Sequence, residues 1–178
     1  PYGFMPFYPG PGLGGHCIPV DPLYLSWKAG QQDVQTRFID LADRINREMP
    51  VHVIRRVNEL LNEIGLAVSR SSVLVVGVAY KPGVSDVRES PAYYVIGLLE
   101  ERGADVSYHD PHVPEFDVEG KEYESVELTE DQLGETDLVL VLTDHSDIDF
   151  GRVVDGSSMV FDTRNATDGM DDEVVYRL

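Results

Sequence analysis

The chain has 178 residues, 42% of them apolar, which suits one domain, or one domain plus an appended arm, and excludes wholesale disorder. Its 14 basic and 32 acidic residues give a formal charge of −18, which argues against nucleic-acid binding through a basic surface and against attraction to an anionic membrane. The single cysteine, Cys17, excludes an internal disulfide and a zinc site built on several cysteines, and no apolar run approaches the roughly 20 residues of a membrane span.

Residues 1–22 are punctuated by Pro6, Pro9, Gly10, Pro11, Gly12, Gly14, Gly15, Pro19 and Pro22, a density that forbids a helix or a long strand. Phe4, Met5, Phe7, Tyr8, Leu13 and Ile18 make the segment too apolar for a linker, so it reads as an ordered, functional loop. Pro1-Tyr2-Gly3-Phe4 does not read as a secretory leader. Trp27, near Tyr24 and Leu25, is expected to serve packing. Residues 32–64 predict helix: Phe38, Leu41, Ala42, Ile45 and Met49 recur at helical spacing, and Val53, Ile54, Val57, Leu60, Leu61 and Ile64 continue the stripe. Pro50 is expected to end one helix and begin the next, and Gly65 to stop the second. Two such striped helices have more apolar surface than a small domain covers, so a dimer seam or contact with a further domain is expected.

At residue 73 the period changes. Val73 to Ala79 reads as a strand buried on both faces. A loop runs to Ser90, then Pro91 opens a helix that Gly103 ends. Asp105–His109 is a second strand, residues 112–128 are charged and ambiguous, and Thr129 caps a short helix to Gly134. Leu138–Leu142 is a third strand, Asp144–Phe150 a helical turn, and Ser158–Asp162 a fourth strand. Strands alternating with helices predict an α/β fold: long central helices followed by a Rossmann-like, doubly wound parallel sheet. The acid is concentrated late: residues 1–100 carry 9 basic and 10 acidic groups, residues 101–178 carry 5 and 22. The run 115–135 reads as a solvated face. With only Lys28, Lys81 and Lys121 as lysines, the composition suits a halophilic cytoplasm, where molar salt screens self-repulsion.

Three clusters can carry chemistry. In Gly12-Leu13-Gly14-Gly15-His16-Cys17-Ile18-Pro19-Val20-Asp21-Pro22 the glycines let backbone N–H groups approach a ligand. A cysteine beside such donors is a candidate nucleophile, His16 a partner within the loop, and Asp21 a candidate base or water-orienting group. Gly77 to Pro91 follows the first buried strand but lacks the G-x-G-x-x-G dinucleotide fingerprint; Lys81 and Arg88 can meet phosphates or carboxylates. Phe161-Asp162-Thr163-Arg164-Asn165 ends the last strand, also at the sheet's ligand-binding edge.

Together these clusters resemble the UDP-glucose/GDP-mannose dehydrogenase family. The loop Pro9 to Pro22 looks like its catalytic-cysteine loop, Tyr80-Lys81-Pro82 through Asp86, Arg88, Glu89, Ser90 and Pro91 like its nucleotide-sugar loop, and Phe161-Asp162-Thr163-Arg164 like its closing strand. His16-Cys17-Ile18-Pro19, with Phe7-Tyr8 before it and Tyr24-Leu25 after it, is most similar to the branch acting on UDP-N-acetylhexosamines, with N-acetylglucosamine placed first and N-acetylmannosamine second. The resemblance implies oxidation of a sugar C6 alcohol to the carboxylate with two NAD. It implies Cys17 as the nucleophile that forms a thiohemiacetal and then a thioester, and Asp21 as the residue that guides water. It implies substrate binding by Tyr8, Pro9, Gly10, Pro11, Gly12, Leu13, Gly14, Tyr80, Lys81, Arg164 and Asn165, and approach of the cofactor to Cys17, Ile18, Pro19, Val20 and Arg88. No metal is implied. The family's N-terminal NAD-binding domain is not in this sequence, so the chain is expected to be a fragment, inactive alone, of a cytoplasmic homodimer. The expected division is a cysteine-loop segment over 1–31, central dimerisation helices over 32–68, and a UDP-sugar-binding domain over 69–178. The rival readings are a UDP-glucose dehydrogenase, a non-catalytic nucleotide-sugar-binding module and a redox sensor using Cys17.

Overall fold

A computed structural model describes residues 3, 8–170 and 173–178. Phe4, Met5 and Phe7 lie outside the described residues.

The loop gives way to helix α1, Asp21–Gly30, and the long helix α2 spans Arg37–Glu63. Strand β1 is Ser72–Val76 and helix α3 is Pro91–Glu101. Strand β2 is Asp105–His109, and β3 (Glu115–Val118) pairs with β4 (Lys121–Glu124) as a hairpin. Helix α4 is Glu130–Gly134, strand β5 Leu138–Val141 and helix α5 Phe150–Gly156. Strands β6, Val160–Asp162, and β7, Val175–Arg177, complete the chain. Five strands form one parallel sheet in the order β2-β1-β5-β6-β7. The chain therefore winds outward in both directions from the β1/β5 pair, the switch point at which α/β sheets place their ligands.

The β-branched run of β1 has an apolar partner layer on each face, as a doubly covered strand requires. Val73 and Val75 join one core with Val57, Leu60 and Leu61 of α2 and Val95, Ile96 and Leu99 of α3. Leu74 and Val76 join a second core with Leu133 of α4 and Phe150, Val153 and Val154 around α5. Ser90 caps α3 by accepting from the Ala92 N–H, and Thr129 caps α4 by accepting from the Gln132 N–H.

Three details differ from the expectations and one agrees with them. Pro50 does not divide α2, although it lacks the N–H that would bond the Asn46 carbonyl one turn earlier. The cysteine loop approaches that carbonyl, and a Cβ built on Gly12 would lie 3.6 Å from it. The N-terminal stripe of α2 agrees with the expectation of apolar surface left uncovered: Phe38 is 88% exposed, whereas Val53, Ile54, Val57, Leu60 and Leu61 are buried. The charged stretch after β2 is a hairpin with Phe116, Val118 and Tyr123 inward and its carboxylates outward. Trp27 stands 58% exposed with its ring 5.6 Å from that of Tyr24, so its contact is local rather than core packing.

Candidate functional site

The site lies where the sheet's carboxyl edge meets the cysteine loop. Strand β1 leaves the sheet at Gly77, whose φ of +83° and close approach to Thr143 leave no room for a side chain: a Cβ there would stand 2.5 Å from Thr143 Cβ. The next two backbone N–H groups, Val78 and Ala79, donate to Asp110 Oδ2 at 2.7 and 3.0 Å. Donors of this kind hold the pyrophosphate in a dinucleotide fold. Here an internal carboxylate takes them, and α3 begins on its own Ser90 cap. The residues of this sheet therefore do not fit the pyrophosphate of NAD.

The cysteine loop is laid across this edge by contacts that only glycine permits. Leu13 N–H donates to Asn46 Oδ1 of α2 at 2.6 Å, and Gly15 N–H donates to the Arg88 carbonyl at 2.9 Å. A Cβ on Gly14 would lie 2.7 Å from both the Glu89 carbonyl oxygen and Tyr80 Cβ. Gly15 faces the Tyr80 ring, and a Cβ on Gly10 would lie 2.6 Å from Arg164 Nη1. The three clusters singled out in sequence thus converge: the loop touches Tyr80, Glu89 and Arg88 on one side and Arg164 on the other.

Cys17 is exposed, with Sγ 3.4 Å from His16 Nε2. It sits one turn before α1, where its carbonyl accepts from the Asp21 N–H at 2.8 Å, so Cys17 and Asp21 are tied through the backbone. Arg88 and Asp86 form a forked pair, Nη2 to Oδ2 at 2.6 Å and Nε to Oδ1 at 3.0 Å. Bonding from Arg88 lowers the Asp86 carboxyl to about 2, and the bond to Asp86 raises the Arg88 guanidinium. Arg164 Nε donates to Asp144 Oδ1 at 3.1 Å, and its backbone N–H to the buried Asp162 at 2.9 Å. Lys81 is exposed, its ammonium 5.5 Å from the Tyr80 ring centre.

Other predicted residues stand apart from this contact set. Tyr8 is 77% exposed, and Ile18 and Val20 are open to solvent. Asn165 is exposed with φ +59°, in the left-handed region that asparagine tolerates. Pro19 faces a cleft of about 390 Å³ between α2 and α3, which adjoins the site through Gly12, Leu13 and Glu89 and is also lined by Pro50, Pro91 and Tyr94. Sequence reasoning missed Asn46, Asp110, Thr143, Asp144 and His145. The signal was present for four of them: Asp110 follows β2 and Thr143-Asp144-His145 follows β5, at strand carboxyl ends.

A model of the UDP-binding domain of the UDP-glucose/GDP-mannose dehydrogenase family matches residues 74–169, and a model of that family's central domain matches residues 1–48. A protein of Methanococcus maripaludis named UDP-N-acetyl-D-mannosamine dehydrogenase is 38% identical over 165 residues, covering 88% of this chain and 36% of the relative. Protein CapL of Staphylococcus aureus is 30% identical, covering 99% of this chain and 42% of CapL. The solved structure of a UDP-D-ManNAc dehydrogenase from Pyrococcus horikoshii superposes with a TM-score of 0.79 at 25% identity, over 96% of this chain and 40% of that one. The chain thus spans roughly a third to two fifths of the length of these proteins.

Proposed function

Because this chain belongs to the UDP-glucose/GDP-mannose dehydrogenase family, we propose that it supplies the substrate-holding part of an NAD-dependent dehydrogenase that oxidises the C6 alcohol of a UDP-N-acetylhexosamine to the carboxylate. The observation that carries the proposal is the convergence of Cys17's loop, the Tyr80–Arg88 loop and Arg164 on one sheet edge. The names of the relatives favour N-acetylmannosamine over the N-acetylglucosamine placed first from sequence.

In this reading the backbone of Tyr8 to Gly14 wraps the diphosphate and sugar, with Lys81 and Arg164 supplying positive charge in a chain otherwise rich in carboxylate. Tyr80 and Asn165 complete the substrate contacts. Loss of a first hydride from C6 gives the aldehyde, to which Cys17 Sγ adds as a thiohemiacetal; loss of a second hydride from that adduct gives the thioester, from which water guided by Asp21 releases the acid. NAD is the hydride acceptor; its pyrophosphate finds no loop on this sheet, so a domain outside these residues would hold it, with its reactive end approaching Cys17 to Val20 and Arg88. The open stripe of α2, with Phe38, Leu41 and Ile45 exposed, suits a homodimer seam. A cytoplasmic, high-salt setting suits the charge. The division 1–31, 32–68 and 69–178 is kept as a functional one.

The test is NADH formation from UDP-N-acetylmannosamine and UDP-N-acetylglucosamine by the complete protein that carries this chain. The reading expects turnover that Cys17→Ser abolishes while UDP binding persists. Undiminished turnover in Cys17→Ser would overturn the nucleophile. UDP binding without any turnover would favour a non-catalytic module.

A further inference from the structure

Beneath the Tyr80–Lys81 loop lies a buried acid–base pair that the proposed chemistry does not use. Asp110 is 3% exposed and His145 not at all. Asp110 follows β2 and His145 follows β5, and the fold brings them together across the β1/β5 switch point. Asp110 Oδ2 accepts from Val78 N–H at 2.7 Å and Ala79 N–H at 3.0 Å, and lies 3.0 Å from His145 Nε2. Its Oδ1 accepts from His112 N–H at 2.8 Å. On the far side of the imidazole, Nδ1 accepts from Gly83 N–H at 3.1 Å. A backbone N–H can only donate, so Nδ1 carries no proton, Nε2 carries one, and Nε2 donates to Asp110. Burial pushes the Asp110 carboxyl up, but bonds from His145, Ala79, His112 and Val78 outweigh it and hold the group at about 2.

Three of the pair's four polar atoms grip backbone while Nε2 grips Asp110 itself, and of the backbone held, Val78–Ala79 and Gly83 flank one tripeptide. Ala79 is fixed at one end, its N–H by Asp110 and its carbonyl by Thr143 Oγ1 at 2.6 Å. Gly83 is fixed at the other by His145. Between them stand Tyr80, Lys81 and Pro82. Stability alone does not explain such a pair, since packed apolar residues of the same volume stabilise a core as well. What leucine or valine cannot do is hold two separated backbone donors in a set direction.

We propose that Asp110 and His145 are positioning residues of the substrate loop: the pair fixes Ala79 relative to Gly83, and so fixes where Tyr80 meets the cysteine loop and where Lys81 projects. This rests on reading Tyr80 and Lys81 as substrate-binding.

The experiment compares the chain with its His145→Ala and Asp110→Asn variants by amide hydrogen exchange and by calorimetric titration with UDP. In the unsubstituted chain, nitrogen NMR should show an unprotonated Nδ1 and a protonated Nε2 on His145, with a protected Gly83 amide. A protonated Nδ1 or an unprotected Gly83 amide would overturn the proposal even if neither variant folds. In folded His145→Ala, exchange at Gly83 should quicken and the Kd for UDP rise, each by about tenfold or more, while β1 and β5 keep their protection. Unchanged Gly83 exchange together with unchanged UDP affinity would overturn it. If the unsubstituted chain binds no UDP while Gly83 exchange still responds to His145→Ala, the positioning role stands and the UDP reading falls.

Discussion

Gly14→Ala asks whether the site is assembled as the geometry says. The added Cβ would stand 2.7 Å from the Glu89 carbonyl oxygen and from Tyr80 Cβ, about 0.7 Å inside ordinary contact, which begins at 3.4 Å. Neither neighbour is the end of a flexible side chain, so backbone must move. If the loop stays, overpacking costs about 1–3 kcal/mol. If it lifts, it gives up the Leu13–Asn46 and Gly15–Arg88 hydrogen bonds, about 0.5–1.5 kcal/mol each. The two routes cost about the same, and either shifts the loop against Tyr80 without entering the sheet. The Tm of the sheet should therefore fall by less than about 10 °C, while affinity for UDP-N-acetylmannosamine, read by calorimetry, should fall about tenfold or more. Gly30→Ala is the control: a Cβ there meets nothing within 4 Å, so binding should be unchanged. If Gly14→Ala binds as tightly as Gly30→Ala, the loop does not form the site described.

Three further perturbations have expected outcomes. Asp110 sits at about 2 in the fold against 3.8 for a free carboxyl, so its ionised form stabilises the fold by about 2 kcal/mol above pH 4, and that contribution is lost as pH falls through about 2. Asp110→Asn should accordingly be less stable by about that amount or more at neutral pH, and its denaturant midpoint should approach that of the unsubstituted chain as the solution is acidified toward pH 2; a constant gap would refute the assignment. Leu61→Ala, at a fully buried position on α2, should cost about 2–5 kcal/mol in chemical unfolding. Leu41→Ala, on the open half of the same helix, should leave that value nearly unchanged and instead weaken self-association in sedimentation. Raising KCl from about 0.1 M to 3 M should raise the Tm, because salt screens the repulsion of a chain at −18; equal Tm values would remove the halophilic reading.

The strands were legible where composition and burial coincide. The β-branched stretch of β1 and the aliphatic one of β5 show in sequence because both faces are covered. The β3–β4 hairpin was masked by its outward carboxylates, although Glu115-Phe116-Asp117-Val118 alternates cleanly. Strand β7 has three residues and a single neighbour, and α5 has a glycine at its second position and another at its end, so neither carries a periodic signal. Pro50 misled because the rule concerns a lost hydrogen bond, and an open carbonyl within reach of the Gly12 loop is a tertiary matter. The cysteine loop was readable from its glycines, which stand where Tyr80, Glu89 and Arg164 crowd the backbone. The strand-end positions of Asp110 and His145 were readable too, but their pairing was not, since 35 positions separate them and only the winding of the sheet sets them 3.0 Å apart.

The most direct test of the account is calorimetric titration of the folded chain with UDP, UDP-N-acetylmannosamine and NAD in separate experiments, with Arg164→Ala alongside. One site per chain is expected for both UDP compounds, weakened in Arg164→Ala, with no heat from NAD. Binding of NAD with none of UDP would contradict it, because it would put the dinucleotide on the edge whose strand-end donors Asp110 already holds.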